Sequence, residues 1–312
     1  MTTPADLETP ALFQVQGLVA VVSGASSGIG LMAAQTLAAN GARVYIIGKR
    51  ESILETVAEK YSSNGQIIPL PGDTSTTDGI TGLASILAAD EDKGINILLN
   101  ASRIDPDSPA QARASQTAPS SIISGGSAPN AGVDFTDSDA VRDWMTLDGA
   151  EAWRVAWAGN VTTHHFLTAA LLPLLDKGAA AAPGHSSVVL NIADVAGLTK
   201  THSQGRFAYS AAMAGLIHLT KEWAHTFMGI RVRVNCIAPA LVEGEMRVMG
   251  NDSGRWERLD KRVKGKIPAG RAGKEADIAS AVLYLCSRAG AYVNGQVIHL
   301  DGGLLLKSPA TV

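Results

Sequence analysis

Short apolar runs alternate with amphipathic stretches along most of the chain. Leu18 to Val22 is continuously apolar, Leu31 to Asn40 has helical spacing, and Arg43 to Ile47 is apolar again. Glu51 to Tyr61 places Ile53, Val57 and Tyr61 on one helical face, and Gln66 to Leu70 is a third apolar run closed by Pro71-Gly72-Asp73-Thr74. A helix from Ser75 continues through Ile80 to Ala89, followed by a strand at Ile95 to Leu99. Further on, Trp144 to Leu175 reads as one long helix with Asn160 in its middle, then Val188 to Ile192 as strand, Phe207 to Phe227 as helix and Arg231 to Ile237 as strand. Ala276 to Cys286 and Gln296 to Leu300 are the last helix and strand. Strands apolar throughout are those covered by helices on both faces. Their alternation with helices predicts an α/β fold, a Rossmann-type doubly wound parallel sheet. The domain runs from 17 to 303, after a lead-in at 1–16 and before a tail at 304–312.

Two stretches break the rhythm. From about 103 to 140 the chain is an insertion rich in Ser, Ala and Pro, with Ile122, Ile123, Val133 and Phe135 as its sizeable apolar residues up to Thr136. It leaves the carboxyl end of the fourth strand, where ligands of such sheets bind, and its composition suits both a mobile lid and an inert disordered insertion. The second stretch, about 240–272, is polar from Glu243 to Ala272 but holds Met246, Met249 and Trp256, and reads as a substrate-facing flap.

Composition narrows the function classes. A net charge of -3 with both signs dispersed provides no basic stripe for nucleic acid and no polybasic face for a membrane. Met1 to Pro10 lacks an apolar leader core, and no run is long enough to span a bilayer. Cytoplasmic chemistry on a small-molecule substrate is the expectation. Cys236 and Cys286 lie in apolar runs without metal-ligand spacing, so they are expected as buried hydrophobes, with no metal site.

The turn between the first strand and helix, Ser23 to Gly30, carries the clearest chemistry. Gly24, Gly28 and Gly30 permit a tight turn, close approach of a pyrophosphate and close helix–strand packing, with Ser26, Ser27 and Ile29 completing the cradle. A dinucleotide is the ligand this predicts. The second strand ends in Gly48-Lys49-Arg50, where a carboxylate would bind a ribose hydroxyl and a base would accept a 2'-phosphate, so Lys49 and Arg50 point to NADP(H). Asp73, with Thr74 beside it, stands at the end of the third strand, where it suits an adenine amine and equally an N-cap.

Together these residues resemble the short-chain dehydrogenase/reductase family, especially its fungal secondary-metabolism branch, over roughly Gly17 to Gly303 outside the insertion. Ser23 to Gly30 is similar to its TGxxxGxG loop, Leu99-Asn100-Ala101-Ser102 to its NNAG segment, and Pro239-Ala240, with Val242 following, to the PG pair beside the nicotinamide. Tyr292 to Gly303 resembles the family's terminal strand with its DGG end. The resemblance implies cofactor roles for Asp73, Asn100, Ala101, Tyr209, Pro239 and Val242. It also implies a homo-oligomer, dimer or tetramer, with the apolar strip Ala276 to Leu285 and the last strand as its interface.

The family's tetrad is Asn, Ser, Tyr and Lys. Asn160 and Tyr209 match the first and third, whereas the Ser position holds Asp194 and the Lys position holds Met213. Met213 cannot hold a tyrosinate, so Tyr209 is expected near its ordinary pKa of about 10 and as a proton donor. An ionised Asp194 within about 4 Å would oppose a tyrosinate by up to roughly 4 kcal/mol, which disfavours alcohol oxidation. Three readings follow. The first is an NADP(H)-dependent reductase of a carbonyl or enone on a bulky secondary metabolite, with Lys200, His202 or Arg206 as the missing positive charge. The second is a non-redox isomerase, dehydratase or cyclase using Asp194 and Tyr209. The third is a catalytically dead cofactor-binding or regulatory protein. His164 and His165, after Asn160, read as structural rather than as proton carriers.

Overall fold

The computed structural model describes residues 4–104, 133–146, 148–182, 184–200, 206–243, 263 and 265–307. Within them seven parallel strands form one sheet: β1 (Val19–Ser23), β2 (Arg43–Gly48), β3 (Gln66–Pro71), β4 (Ile97–Asn100), β5 (Ser187–Ile192), β6 (Val232–Pro239) and β7 (Val297–Leu300). Their order is β3-β2-β1-β4-β5-β6-β7. The chain winds outward from β1 to β3, returns, and starts again in the other direction at β4, so β1 and β4 flank the switch point where such sheets bind ligands.

Side-chain alternation along the strands divides the core in two. Ala20, Val22, Val44, Ile46, Ile97, Leu99, Val188 and Leu190 face the layer that contains helix α2 (Gly28–Ala39), with α1 (Thr9–Leu12) preceding β1. Helix α3 (Glu51–Tyr61) adds Leu54 and Val57 to that face. Val21, Tyr45, Ile47, Leu98, Val189 and Val234 face the opposite layer. That layer is α4 (Thr77–Asp90), α7 (Thr163–Ala181) and α8 (Phe207–Thr226), which contribute Leu83, Leu171 and Trp223 among others.

Several expectations need correction. The long helix expected from Trp144 to Leu175 is three pieces: α5 (Ser138–Met145), α6 (Ala150–Trp157) and α7, with a π-turn at Ala158–Thr162 joining the last two. Gly149 is the extended N-cap that restarts the chain as α6. The insertion is anchored at both ends: α5 begins within it, and Phe135 packs edge-on to Trp144 at 5.3 Å. Residues 105–132, on which the lid reading rests, lie outside the described residues, as do Met246, Met249 and Trp256 of the flap. The strip expected at a subunit interface lies on α9 (Glu275–Cys286), where Ile278, Val282 and Leu285 pack into the chain's own core with α2 while Ala276 and Ser280 are exposed. The tail starts as a helical turn, α10 (Leu304–Lys307), with Leu304 buried beside Ile267.

A buried polar seam crosses the carboxyl ends of the middle strands. Asn100 Nδ2 donates to Thr168 Oγ1 at 3.0 Å and to Asn191 Oδ1 at 2.9 Å, and Asn191 Nδ2 donates to Thr220 Oγ1 at 3.0 Å. It ties β4 and β5 to α7 and α8. Replacing Asn191 with Leu leaves both neighbours short of a partner in a dry interior, at a cost of about 1–3 kcal/mol. Urea unfolding of Asn191→Leu is expected to show that loss with an unchanged slope.

Candidate active site

The site is assembled at the tips of β1, β4 and β5. Gly24 has φ +69°, and a Cβ on it would lie 2.6 Å from the Ser102 nitrogen. The turn after β1 therefore abuts the exit of β4 at a distance only glycine permits. A Cβ on Gly30 would meet the Gly24 carbonyl, which fixes the first turn of α2 against the same loop. Ser27, the N-cap of α2, makes no side-chain cap bond, so the helix's first amides have no protein oxygen from their cap. Gly24, Ser26, Ser27, Gly28, Ile29 and Gly30 thus form an open, amide-lined turn that fits a dinucleotide pyrophosphate.

The adenosine end is polar and exposed. Lys49 Nζ lies 2.9 Å from Asp73 Oδ1 and 3.2 Å from Ser75 Oγ. Asp73 also accepts from the Ser75 amide and hydroxyl; the hydroxyl, followed by Lys49, holds its carboxyl down to about 2. Asp73 is not the helix cap. Thr76 caps α4, accepting from Gly79 N at 3.1 Å, because α4 begins two residues later than expected. Thr74 lies in the turn between them, and Arg50 is exposed as the N-cap of α3.

Asp194 follows β5 and caps a short 3₁₀ turn, Val195–Gly197, its Oδ1 accepting from Ala196 N at 2.8 Å. Its Oδ2 accepts from the Tyr209 hydroxyl at 2.9 Å and from Arg103 Nη1 at 3.2 Å. Tyr209 is 2 % exposed in the first turn of α8. That helix is started by Asp148, which accepts from Ala208 N at 2.9 Å, and by Trp144 packed edge-on to Phe207 at 4.9 Å. Arg206 is buried, its guanidinium carbon 5.2 Å from the centre of the Tyr209 ring. Met213, one turn after Tyr209, is 1 % exposed among Ala193, Ala196, Leu216 and Cys236.

Asn160 is placed differently from a group reaching substrate. Its Oδ1 accepts from Ile104 N at 2.9 Å, and its Nδ2 donates to Ile104 O at 2.7 Å and Ala156 O at 2.9 Å. The amide clamps the chain one residue past Arg103. The Asn100 side chain likewise turns inward to the polar seam, and that of Val242 into the core beside Ile29. Ala101 N donates to Ser23 Oγ at 3.3 Å, again joining β1 to β4. Pro239 ends β6 opposite Leu300.

Arg103 was missed by sequence reasoning because it opens the insertion. The signal was there: a carboxylate at position 194 requires a counter-ion, and a base follows the fourth strand's tip. Of the cations considered instead, Arg206 lies against Tyr209, Lys200 is exposed, and His202 lies outside the described residues. Both cysteines are fully buried, with their thiols pushed up to about 12 by burial. Among the described residues no group of three or more His, Cys, Asp or Glu side chains is placed to hold a metal, and no helix is long and apolar enough to cross a membrane.

A glycine turn at the switch point, beside a buried tyrosine on a helix start, defines a Rossmann-type dinucleotide-binding fold. Residues 18–122 match the short chain dehydrogenase family model and 130–305 the enoyl-(acyl carrier protein) reductase model. The short-chain dehydrogenase/reductase PhomF of Diaporthe leptostromiformis is 33% identical over 96% of this chain and 95% of its own, and VdtF of Byssochlamys spectabilis 31% over 98% of each. Among solved structures, the NADP active-site complex of Pseudomonas aeruginosa RhlG superposes with a TM-score of 0.72 at 28% identity, covering 94% of this chain and 98% of that one. The chain belongs to the short-chain dehydrogenase/reductase family.

His164 connects this site to acid stability. It is fully buried, with Nδ1 2.7 Å from Asn160 O. Burial lowers its pKa to about 4, partly offset by the Asn160 and Ser102 carbonyls. His165, in contrast, is exposed beside Trp223. Because the unfolded chain binds a proton on His164 near pH 6.5 and the folded chain does not until about 4, the fold loses stability as pH falls through that window. The loss amounts to about 3 kcal/mol. Denaturant midpoints are expected to fall between these pH values, and His164→Gln to flatten that part of the profile.

Proposed function

We propose that this protein is an NADP(H)-dependent reductase of a carbonyl or enone on a bulky secondary metabolite, with Tyr209 as proton donor. One observation carries the reading: the Tyr209 hydroxyl is buried and hydrogen-bonded next to the loop that abuts the glycine turn. The names of the relatives support it, since the matches include 3-oxoacyl-[acyl-carrier-protein] reductases as well as the fungal proteins.

Bound NADPH would supply a hydride to the substrate carbon. The chain's own residues complete the reduction. As the electron pair of the C=O bond, or of the conjugated C=C–C=O system, moves onto oxygen, the Tyr209 hydroxyl donates its proton to that oxygen, and solvent later restores it. Asn160 and His164 hold the β4 exit and the π-turn in place, and the polar seam keeps β4 and β5 in register. At the adenosine end Lys49 and Arg50 would receive the 2'-phosphate, Lys49 by exchanging Asp73 for it. The chain would act in the cytosol as a homo-oligomer, for which the half-exposed edge strand β7 provides a surface.

Two measurements test this. Titration of cofactor fluorescence is expected to give tighter binding of NADPH than NADH, and replacing Lys49 and Arg50 together with Ala to weaken NADPH by roughly 10- to 100-fold while leaving NADH unchanged. Equal affinities would remove the NADP(H) assignment. In substrate screening, NADPH absorbance is expected to fall one for one with product, and Tyr209→Phe to lower the rate by about 100-fold or more. Product formed without NADPH consumption, and abolished by Asp194→Asn, would replace reduction by the non-redox use of the Asp194–Tyr209 pair.

A further inference from the structure

We propose that Arg103 is the positioning residue that supplies, through Asp194, the positive charge missing at position 213. The inference rests on Tyr209 being the proton donor. After donation, a tyrosinate oxygen would stand 2.9 Å from a carboxylate oxygen, and two anions at that separation exclude one another unless a cation is shared. Met213 offers none. Arg103 binds the very oxygen that Tyr209 uses, so its Nη1 lies within about 6 Å of the hydroxyl by the two bonds they share, and a guanidinium stays charged at any working pH.

Among the described residues, the charged groups beside Tyr209 come from separate elements: Arg103 from the β4 exit, Arg206 from the residue before α8, and Asp194 from the end of β5. Asp148, from the α5–α6 connection, is bonded to the helix start, and Cys236 of β6 packs beside Tyr209 as a neutral thiol. The location of Arg103 is itself constrained: Asn160 grips Ile104 through both its amide and its carbonyl, which fixes the backbone one residue away. The family's Lys, one turn along the helix, has been exchanged for an arginine from the loop after β4 acting across a carboxylate.

The test uses Arg103→Gln, Arg103→Lys, Asp194→Asn and the double variant Arg103→Gln/Asp194→Asn, each in the full chain and each paired with its Tyr209→Phe counterpart. The difference in ultraviolet tyrosinate absorbance within a pair isolates Tyr209 from the other tyrosines. Arg103→Gln is expected to raise the Tyr209 titration by about one pH unit, Asp194→Asn to lower it, the double variant to lie between them, and Arg103→Lys to stay near the parent. In NADPH-dependent reduction, Arg103→Gln is expected to lower kcat about tenfold and move the alkaline fall to higher pH, with NADPH affinity unchanged. A Tyr209 titration that Arg103→Gln leaves unmoved, or that Arg103→Lys fails to restore, overturns the inference. If the titration moves as expected but Tyr209→Phe retains full reduction, the charge coupling stands and the proton-donor reading falls.

Discussion

The contact between the glycine turn and the exit of β4 constrains everything around the site. Gly24 can face Ser102 so closely only because it lacks a Cβ and accepts a left-handed φ. That abutment brings the first half of the sheet, which carries the glycine turn, against the second half, which carries Asp194. Ser23 Oγ reinforces it through Ala101. The loop that follows is consequently not free to wander: Ser102 meets the glycine turn, Arg103 meets Asp194, and Ile104 meets Asn160.

Electrostatics at the catalytic end follow from this arrangement. Among the described residues the Asp194 carboxylate accepts from a backbone amide, a phenol and a guanidinium, and the last of these offsets its charge beside the tyrosine. Met213, one turn further along α8, packs among Ala193, Ala196, Leu216 and Cys236, and the guanidinium on that carboxylate comes from the β4 exit.

Much of this was legible in the sequence because local chemistry decided it. Continuous apolar strands announced a two-sided sheet, and the spacing of Gly24, Gly28 and Gly30 announced the cradle. Lys49 and Asp73 were identified individually, but their pairing required knowing that β2 and β3 are neighbours. The pairing of Arg103 with Asp194 was harder to read for the same reason, the two being 91 residues apart. Asn160 matched the tetrad by pattern, yet its hydrogen bonds go to backbone rather than outward, which no motif reports. On α9 the sequence could not separate the face of Ile278, Val282 and Leu285, which meets α2, from the rest of the strip, because an apolar helix face looks alike whatever it packs against.

The π-turn at Ala158–Thr162 has a consequence for how this chain can change. One extra residue per turn rotates the helix before it by roughly 100° relative to the helix after it. On one side of that phase slip, the Trp157 indole lies against Gly215 of α8, where a Cβ would come within 3.0 Å of it; on the other, His164 reaches back to the Asn160 carbonyl. A single-residue deletion here would restore a regular helix and swing Trp157 away from α8 or Asn160 away from Ile104. Insertions or deletions in this segment will therefore be rarer among descendants of this sequence than in the loops beside it, and substitutions will avoid Gly159 and Asn160, both held against Ile104.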